Sequence, residues 1–386
     1  MTELVDLRQY LNQEIIGDYL QERLPGLKDS PLQDFLIFSR EKGMGQDKGA
    51  AARKQFVEQL QRAGSLLRKG ELVAFPTETV YGLGASALKP EAINKIFQAK
   101  GRPQDNPLII HIVEEGQLER LVAKMPPSAY NLAEKFWPGP LTLVLEKEDG
   151  VPGEVTAGLP SVAVRMPAHP LALALIHECG EPLAAPSANI SGRPSPTRAE
   201  HVHKDLAGQI AMIIDGGPCP VGLESTVIDC TREPHVLLRP GGLPLEILQG
   251  EIPGLELDPS LRPGGQAEKA LAPGMKYRHY SPGVPVFLYE GKEELLQEHL
   301  KKSVRAGEKT GLLVHDKGKW GKWIKENLVE ERLIILKSLS GYSLFSRLRE
   351  LDLAGAESIL IEGVGQEGLG LTIMNRLRKA ATKIYS

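Results

Sequence analysis

Lys100-Gly101-Arg102-Pro103-Gln104-Asp105-Asn106-Pro107, followed at once by Leu108-Ile109-Ile110-His111-Ile112, is the stretch on which the fold turns. Upstream, Glu91 to Ala99 has the residue pattern of a helix, opened by Pro90 in its first turn and closed by Gly101. Downstream, the apolar run from Leu108 reads as a buried strand. Helix, tight polar turn and apolar strand in direct succession point to an α/β protein. The turn is chemically loaded as well. Arg offers a planar fork of donors and Lys a compact point charge, and charge-assisted contacts of this kind contribute roughly 1.5–3 kcal/mol each. Held in a Gly/Pro-stiffened turn, they suit gripping phosphate or carboxylate. Pro186-Ser187-Ala188-Asn189-Ile190-Ser191-Gly192-Arg193-Pro194 forms a second island of the same character.

Working outward, strands and helices alternate. Leu72–Phe75, Leu141–Leu145, Ser161–Arg165, Leu183–Ala185, Ile210–Ile214, Ser225–Asp229 and Val236–Arg239 read as strands, and Ala51–Arg68 and Leu171–His177 as helices. The expected core is a twisted sheet of mixed direction with helices and long Gly/Pro-rich loops, over residues 51–249. Residues 1–50 read as a small helical extension of unknown role, with Leu4, Leu7, Leu11, Ile15 and Ile16 near helical spacing and a flexible link at Gly43, Gly45 and Gly49. Residues 250–283 lack periodicity and are rich in Pro and Gly, as a linker or lid would be. They carry Met275-Lys276-Tyr277-Arg278-His279-Tyr280-Ser281-Pro282. From 284 to 386 a cleaner βα rhythm predicts a smaller, parallel, Rossmann-like domain whose last helix runs from Leu371 to Ile384.

The chain has 386 residues, 41% hydrophobic and 25% charged, which suits two folded domains and excludes wholesale disorder. A net charge of −3 argues against a broad basic face that holds nucleic acid by counterion release, while leaving room for a local basic pocket. Cys179, Cys219 and Cys230 form no C-x-x-C pair, so neither a disulfide scaffold nor a zinc knuckle is expected, and a reducing cytoplasm is. No basic segment with an apolar run follows Met1, and no apolar run reaches membrane-spanning length.

Gly82-Leu83-Gly84-Ala85-Ser86-Ala87 matches the dinucleotide fingerprint in letters only, because Pro76 to Tyr81 separate it from the preceding strand. No P-loop, kinase signature or G-x-S-x-G elbow occurs. Pro76-Thr77-Glu78-Thr79-Val80-Tyr81 places two hydroxyls and a carboxylate just past a strand end, as a ligand rim or as a capped turn. His111 inside an apolar strand suits a hydrogen-bonded core histidine, and His201 and His203 lack a third ligand at metal spacing. Arg165 ends an apolar strand, where a guanidinium requires an anion. Either an internal Asp or Glu or a ligand carboxylate must face it. Arg239-Pro240-Gly241-Gly242 repeats the pairing of cation and glycine, in which backbone can approach an anion closely. Lys100, Arg102, Arg165 and Arg239 all sit at strand–loop junctions, and their convergence would make a hollow fit for a triphosphate.

Together F-P-T-E-T-V-Y-G-L-G, K-G-R-P, N-P-L-I-I-H, W-P-G-P-L-T, P-S-A-N-I-S-G, E-S-T-V-I-D, R-P-G and the linker H-Y-S-P resemble the threonylcarbamoyl-AMP synthases, the YrdC-like family, in the long form with an additional C-terminal domain. The resemblance is dense from Arg68 to Gly242 and does not reach the first fifty residues. It implies joining of L-threonine, bicarbonate or CO2, and ATP into threonylcarbamoyl-adenylate with release of pyrophosphate. The product serves modification of tRNA adenosine through a separate transferase, with which contact would be transient. Carried over residue by residue, it puts Lys100, Arg102, Ser187 and Asn189 at the reacting centre. Arg102, Asn106, Ser161, Ser187, Ser195, Arg239 and Tyr280 would contact ATP, with Tyr280 closing over it. Thr79, His111, Arg165, the backbone of Ala185, and Ser225 would hold threonine. Mg2+ is expected on the phosphates. An RNA-binding or ribosome-assembly factor using the same basic hollow is the alternative from another class. Carbamoyl transfer in metal-centre maturation is a related one, for which the chain lacks Cys-rich zinc-finger segments.

A threonine pocket makes a quantitative prediction. Serine lacks one methyl, which in an apolar pocket is worth about 10–200-fold. Serine should support detectable but much slower pyrophosphate release, and equal kcat/KM values for the two amino acids would contradict the pocket.

Overall fold

The computed structural model describes residues 1–11, 14–27, 46–262, 265, 270–273 and 279–386, and the observations below are of those residues. Gly43 and Gly45 of the expected flexible link, and Met275 to Arg278 of the linker motif, lie outside them. The chain divides into two compact units, Met1–Ile190 with Pro196–Lys276, and Ser191–Ser195 with Tyr277–Ser386.

The first unit is built on a 12-stranded mixed sheet. Its strands in chain order are β1 Glu3–Asp6, β2 Val73–Phe75, β3 Gly82–Ser86, β4 Ile109–His111, β5 Val122–Lys124, β6 Leu141–Lys147, β7 Ser161–Arg165, β8 Leu183–Ala184, β9 Met212–Asp215, β10 Thr226–Asp229, β11 Val236–Arg239 and β12 Glu256–Leu257. Across the sheet they run β1-β9-β2-β3-β8-β4-β7-β6-β10-β11-β12, with β5 beside β6. Successive side chains on a strand face opposite sides. One face, with Ala74, Leu83, Ile110, Leu143, Val164, Ile228 and Leu237, is buried along its whole width. The other face is covered in part by helices. Val73, Phe75, Leu183, Met212 and Ile214 lie beneath the helices Gln46–Arg68 and Pro170–Cys179. Farther across, Ile109, Val144, Ala163, Val227, Val236 and Leu238 form a separate cluster with Leu271 and Ala272 from the end of the unit.

The extension differs from the helical reading. Residues 3–6 form β1, which pairs in parallel with β9, while Tyr10, Ile16, Tyr19 and Leu20 are buried against Phe56 and Leu60. Leu11 lies in the helix Arg8–Leu11, and Ile15 and Ile16 lie in the helix Glu14–Arg23, but Leu7 precedes both and edge pairing decides residues 3–6, which spacing in one segment cannot reveal. β3 was also hidden, since Gly-Leu-Gly-Ala-Ser has neither alternation nor β-branched residues. A Cβ at Gly84 would stand 2.8 Å from Phe75 Cε1, so the strand exists because small residues make room for that ring.

In the second unit β13 Val286–Tyr289, β14 Thr310–Val314, β15 Ile334–Ser338, β16 Ser358–Glu362 and β17 Lys383–Tyr385 form an all-parallel sheet ordered β15-β14-β16-β13-β17. The final helix stops at Ala380, short of the expected Ile384. Lys383–Tyr385 instead pairs with Phe287–Tyr289, and the Tyr385 and Tyr289 rings stack at 4.7 Å. The helix Lys317–Asn327 has no counterpart in the sequence reading. Its start is fixed by the Asp316 carboxylate accepting from Lys319 N at 2.9 Å, and Trp320 and Ile324 bury one face of it.

Gly64 lets the helix Gln46–Arg68 lie against Pro170–Cys179, since a Cβ there would meet Glu178 O at 2.8 Å and its carbonyl carbon at 2.9 Å. Those atoms are backbone and cannot swing aside. Gly64→Val should therefore destabilise the protein by about 1–3 kcal/mol, although intrinsic helix propensity favours Val over Gly. A thermal melt decides between the two, and a raised Tm would contradict this packing.

Candidate functional site

The half-open face carries the polar residues. His111 on β4 stands opposite Arg165 on β7. Leu143 opposite Val164 sets Thr142 of β6 beside Arg165, and Thr142 in turn faces Val227 of β10. Val227 faces Arg239 of β11 through a register shift that adds one residue to β11. Bulges of this kind re-aim a side chain, and here Arg239 is turned toward β10. Its Nε and Nη2 donate to Ser225 O at 3.1 and 2.9 Å, Nη2 donates to Ser225 Oγ at 3.1 Å, and Nη1 donates to Pro273 O at 2.9 Å. Ser225 Oγ bonds Thr142 Oγ1 at 2.7 Å, which closes the row.

Arg165 is the most constrained of these groups. Nε donates to Gly139 O at 3.0 Å and Nη1 to Thr79 Oγ1 at 2.9 Å. Nη2 lies 2.5 Å from Glu78 Oε1, with the two side chains only 4% and 6% exposed. The anion that Arg165 requires is thus an internal glutamate. Glu78 Oε1 and Oε2 nevertheless have no hydrogen-bond partner, because the pair is close but not aligned as a hydrogen bond. The loop that delivers Glu78 is built from the Thr77 hydroxyl, which accepts from the backbone N–H groups of Thr79 and Val80, donates to Val80 O and bonds Thr79 Oγ1. Glu78 O also accepts from Val221 N at 2.8 Å. Sequence reading singled out this carboxylate as a rim or cap group and gave it no functional role.

The two cationic islands do meet. Lys100 Nζ donates to Ser187 O and Asn189 O, each at 2.5 Å, and is buried. Ser187 bridges to Gly82 of β3, which anchors the second island to the sheet. Gly101 takes the left-handed conformation (φ 59°) that ends the helix Pro90–Lys100 and releases the chain into the turn. Arg102 Nη2 donates to Asn106 O and Pro107 O at 3.3 and 3.1 Å, so this arginine braces its own loop. The Asn106 side chain is buried with neither amide atom hydrogen-bonded, and His111 Nδ1 is likewise without a partner. Unsatisfied buried polar atoms cost about 1–3 kcal/mol each, so three of them, on β4 and on the loop that leads into it, make this region a candidate for a polar ligand.

Gly241 serves close approach of backbone to backbone, since its Cβ would stand 2.2 Å from Thr226 N. The Ala185 N–H is used by Ile109 O at 3.0 Å, while Ser161 is a half-buried residue at the start of β7. Ser195 and Tyr280 fall in the second unit, where the Tyr280 ring stacks on Phe345 at 5.1 Å and Arg376 lies over it at 5.4 Å. His111 is neutral at working pH, its pKa lowered to about 3 by burial and secondarily by the charge of Arg165.

Two family models match the chain. One, described as telomere recombination and grouping Sua5, YciO and YrdC, covers residues 65–241. The other, the C-terminal domain of threonylcarbamoyl-AMP synthase, covers residues 245–382. Threonylcarbamoyl-AMP synthases of Pyrococcus abyssi and Bacillus subtilis are 50% and 48% identical, over 83% and 84% of this chain and 93% of each relative. The Schizosaccharomyces pombe enzyme of that name is 41% identical over 84% of this chain and 89% of its own. Among solved structures, Pyrococcus abyssi Sua5 complexed with L-threonine superposes with a TM-score of 0.79 at 47% identity, over 86% of this chain and 96% of its own.

The burial of His111 has a pH consequence. An unfolded histidine takes up a proton below about pH 6.5, whereas His111, and His169 with a pKa likewise lowered to about 3 by burial, stay neutral in the folded state. The unfolded chain then binds more protons, so from pH 6.5 down to about 3 each histidine costs up to about 1.4 kcal/mol of stability per pH unit, and nothing above that window. Denaturant titrations of His111→Gln should show an acid slope shallower by one proton. An unchanged slope would place the His111 protonation elsewhere.

Proposed function

The chain belongs to the threonylcarbamoyl-AMP synthase family in its two-domain form, and from this membership we infer that it is an L-threonylcarbamoyladenylate synthase. It is a nucleotidyltransferase that makes threonylcarbamoyl-AMP and pyrophosphate from L-threonine, bicarbonate or CO2, and ATP. The observation that carries the reading is Arg165, a buried guanidinium in a row of polar side chains on an otherwise apolar sheet face. A guanidinium has five N–H groups; Nε and Nη1 each give one to Gly139 and Thr79, Nη2 lies beside Glu78 without a hydrogen bond to it, and the remaining N–H groups are assigned to the carboxylate of an amino acid. Thr79, which bonds Arg165, His111, which pairs with it across β4 and β7, and Ser225 are assigned the remaining threonine contacts, with the backbone of Ala185 just past β8.

The reaction needs little covalent chemistry from the protein. Threonine's amine combines with CO2, losing a proton, or with bicarbonate, losing water, to give a carbamate, whose oxygen attacks the α-phosphorus as pyrophosphate leaves. Positioning and charge stabilisation carry such a step. Lys100 with Ser187 and Asn189, and Arg102 with Asn106, are the groups assigned to the phosphates, with Ser161 and Arg239 as further nucleotide contacts. Ser195 and Tyr280 keep their ATP assignment from the family resemblance. A Mg2+ ion is assigned to the ATP phosphates from the family resemblance, with no protein ligand named for it. Residues 51–249 are assigned to synthesis, 250–283 to a linker or lid and 284–386 to a separate C-terminal domain, with the product destined for tRNA threonylcarbamoylation by a partner transferase. None of the described helices is long and apolar enough to cross a membrane, and the three cysteines are free, in keeping with a cytoplasmic enzyme. The RNA-binding alternative is disfavoured physically. Lys100, Arg102, Arg165 and Arg239 are all at most 9% exposed, and buried cations do not make a phosphodiester-binding surface.

The test is pyrophosphate release from ATP with and without threonine and bicarbonate. Wild type should require both. Lys100→Ala, checked for an unaltered melt, should lose activity by at least about 100-fold, the scale of a lost charge-stabilising group. Wild-type rates in a folded Lys100→Ala variant would remove Lys100 from the mechanism.

A further inference from the structure

We propose that Glu78 is a specificity-determining residue that reads the α-ammonium of the substrate, so that Glu78 and Arg165 together recognise a zwitterion. The proposal rests on the assignment of Arg165 to the threonine carboxylate. It starts from a difficulty in that assignment. A buried arginine meant only for a ligand carboxylate should not keep a protein carboxylate 2.5 Å away, since two like charges on one guanidinium repel in a medium of low dielectric. Glu78 is not there by accident of a loose loop. Its main-chain carbonyl is bound by Val221 N, and the residues on either side of it are tied together by the Thr77 hydroxyl.

The conflict disappears if the ligand brings its own cation. Arg165 and Glu78 sum to zero charge, as does an α-amino acid with its ammonium beside its carboxylate. Laid against the pair with opposite polarity, the zwitterion places carboxylate on guanidinium and ammonium on Glu78. An ammonium has three donors, and both carboxylate oxygens of Glu78 are buried without a hydrogen-bond partner among the described residues, so they have the capacity to accept them. A 2-hydroxy acid or a deaminated analogue would instead set a second unneutralised carboxylate beside Glu78. The site thereby selects for an amine at the α-position, the atom on which the carbamate must form, before any contact with the threonine side chain is made.

Calorimetric titration without ATP separates this role from a merely structural one. L-threonine is compared with 3-hydroxybutanoate of the same hydroxyl configuration, which is threonine without its amine. Folded wild type should bind threonine at least about 10-fold more tightly, the lower end for a charge-assisted hydrogen bond. In Glu78→Gln, matched to wild type by melting curve, that preference should fall to within about threefold. If Glu78 only steadies Arg165, both ligands weaken together and the ratio survives, which would overturn the proposal. Tighter threonine binding by Glu78→Gln would overturn it too, by showing that the glutamate competes for the carboxylate position. Should the variant not fold, equal binding of the two ligands by wild type has the same force. A folded wild type that binds no threonine would instead bring down the functional reading on which the proposal rests.

Discussion

The buried guanidinium of Arg165 is the constraint around which the first unit is arranged. It ends β7 at a depth where a charge without partners would be intolerable, and two separate segments converge to satisfy it: Gly139 before β6, and Glu78 with Thr79 after β2. Each of those segments is bent for the purpose, the first by a Trp-Pro-Gly-Pro turn and the second by the internal bonds of the Thr77 hydroxyl. Removing one member of such a pair leaves the other charge buried alone, a loss of about 3–5 kcal/mol in comparable cases. The polar floor of the site and the local stability of the sheet are therefore one structure, and the site is rigid because its members neutralise one another.

The sheet explains why the site lies where it does. One face is buried across its width, while the helices on the other reach only as far as β8. Beyond that limit, in-register positions on β4, β7, β6, β10 and β11 carry His111, Arg165, Thr142, Val227 and Arg239 in one transverse row. Parallel and antiparallel pairings both contribute, so the row is a property of the pairing pattern and of no single motif. Residues 1–11 and 14–27 reinforce the covered half, with β1 extending the sheet and Tyr10, Tyr19 and Leu20 packing on Phe56. What resembles an appendage in the sequence is part of the hydrophobic core that holds the scaffold still.

Much of this was legible in residue order. Regular strands such as Ser161–Arg165 and Val236–Arg239, and the helix from Pro90 to the Gly101 cap, carry β-branched or capping signals strong enough to be read locally. So were the two polar islands at Lys100 and Ser187, which the fold joins, and an arginine whose burial demanded an anion. Elements that depend on a distant partner were not. β3 has no strand propensity and exists through its neighbours, β17 was absorbed into the preceding helix, and Arg239 reaches the site face only through a bulge whose extra residue leaves no trace in spacing.

The sequence by itself determined the residue types: which side chains carry charge, which segments must bury, and which turns need glycine, because these follow from covalent structure and local sterics. It left open whether Arg165 faced a ligand or a glutamate, and that choice belonged to the tertiary structure alone. Glu78 and Arg165 are brought within 2.5 Å by strand pairing and by a loop tied at both ends. Burial then turns that proximity into a commitment, since two opposite charges excluded from water have no other partner as favourable as each other.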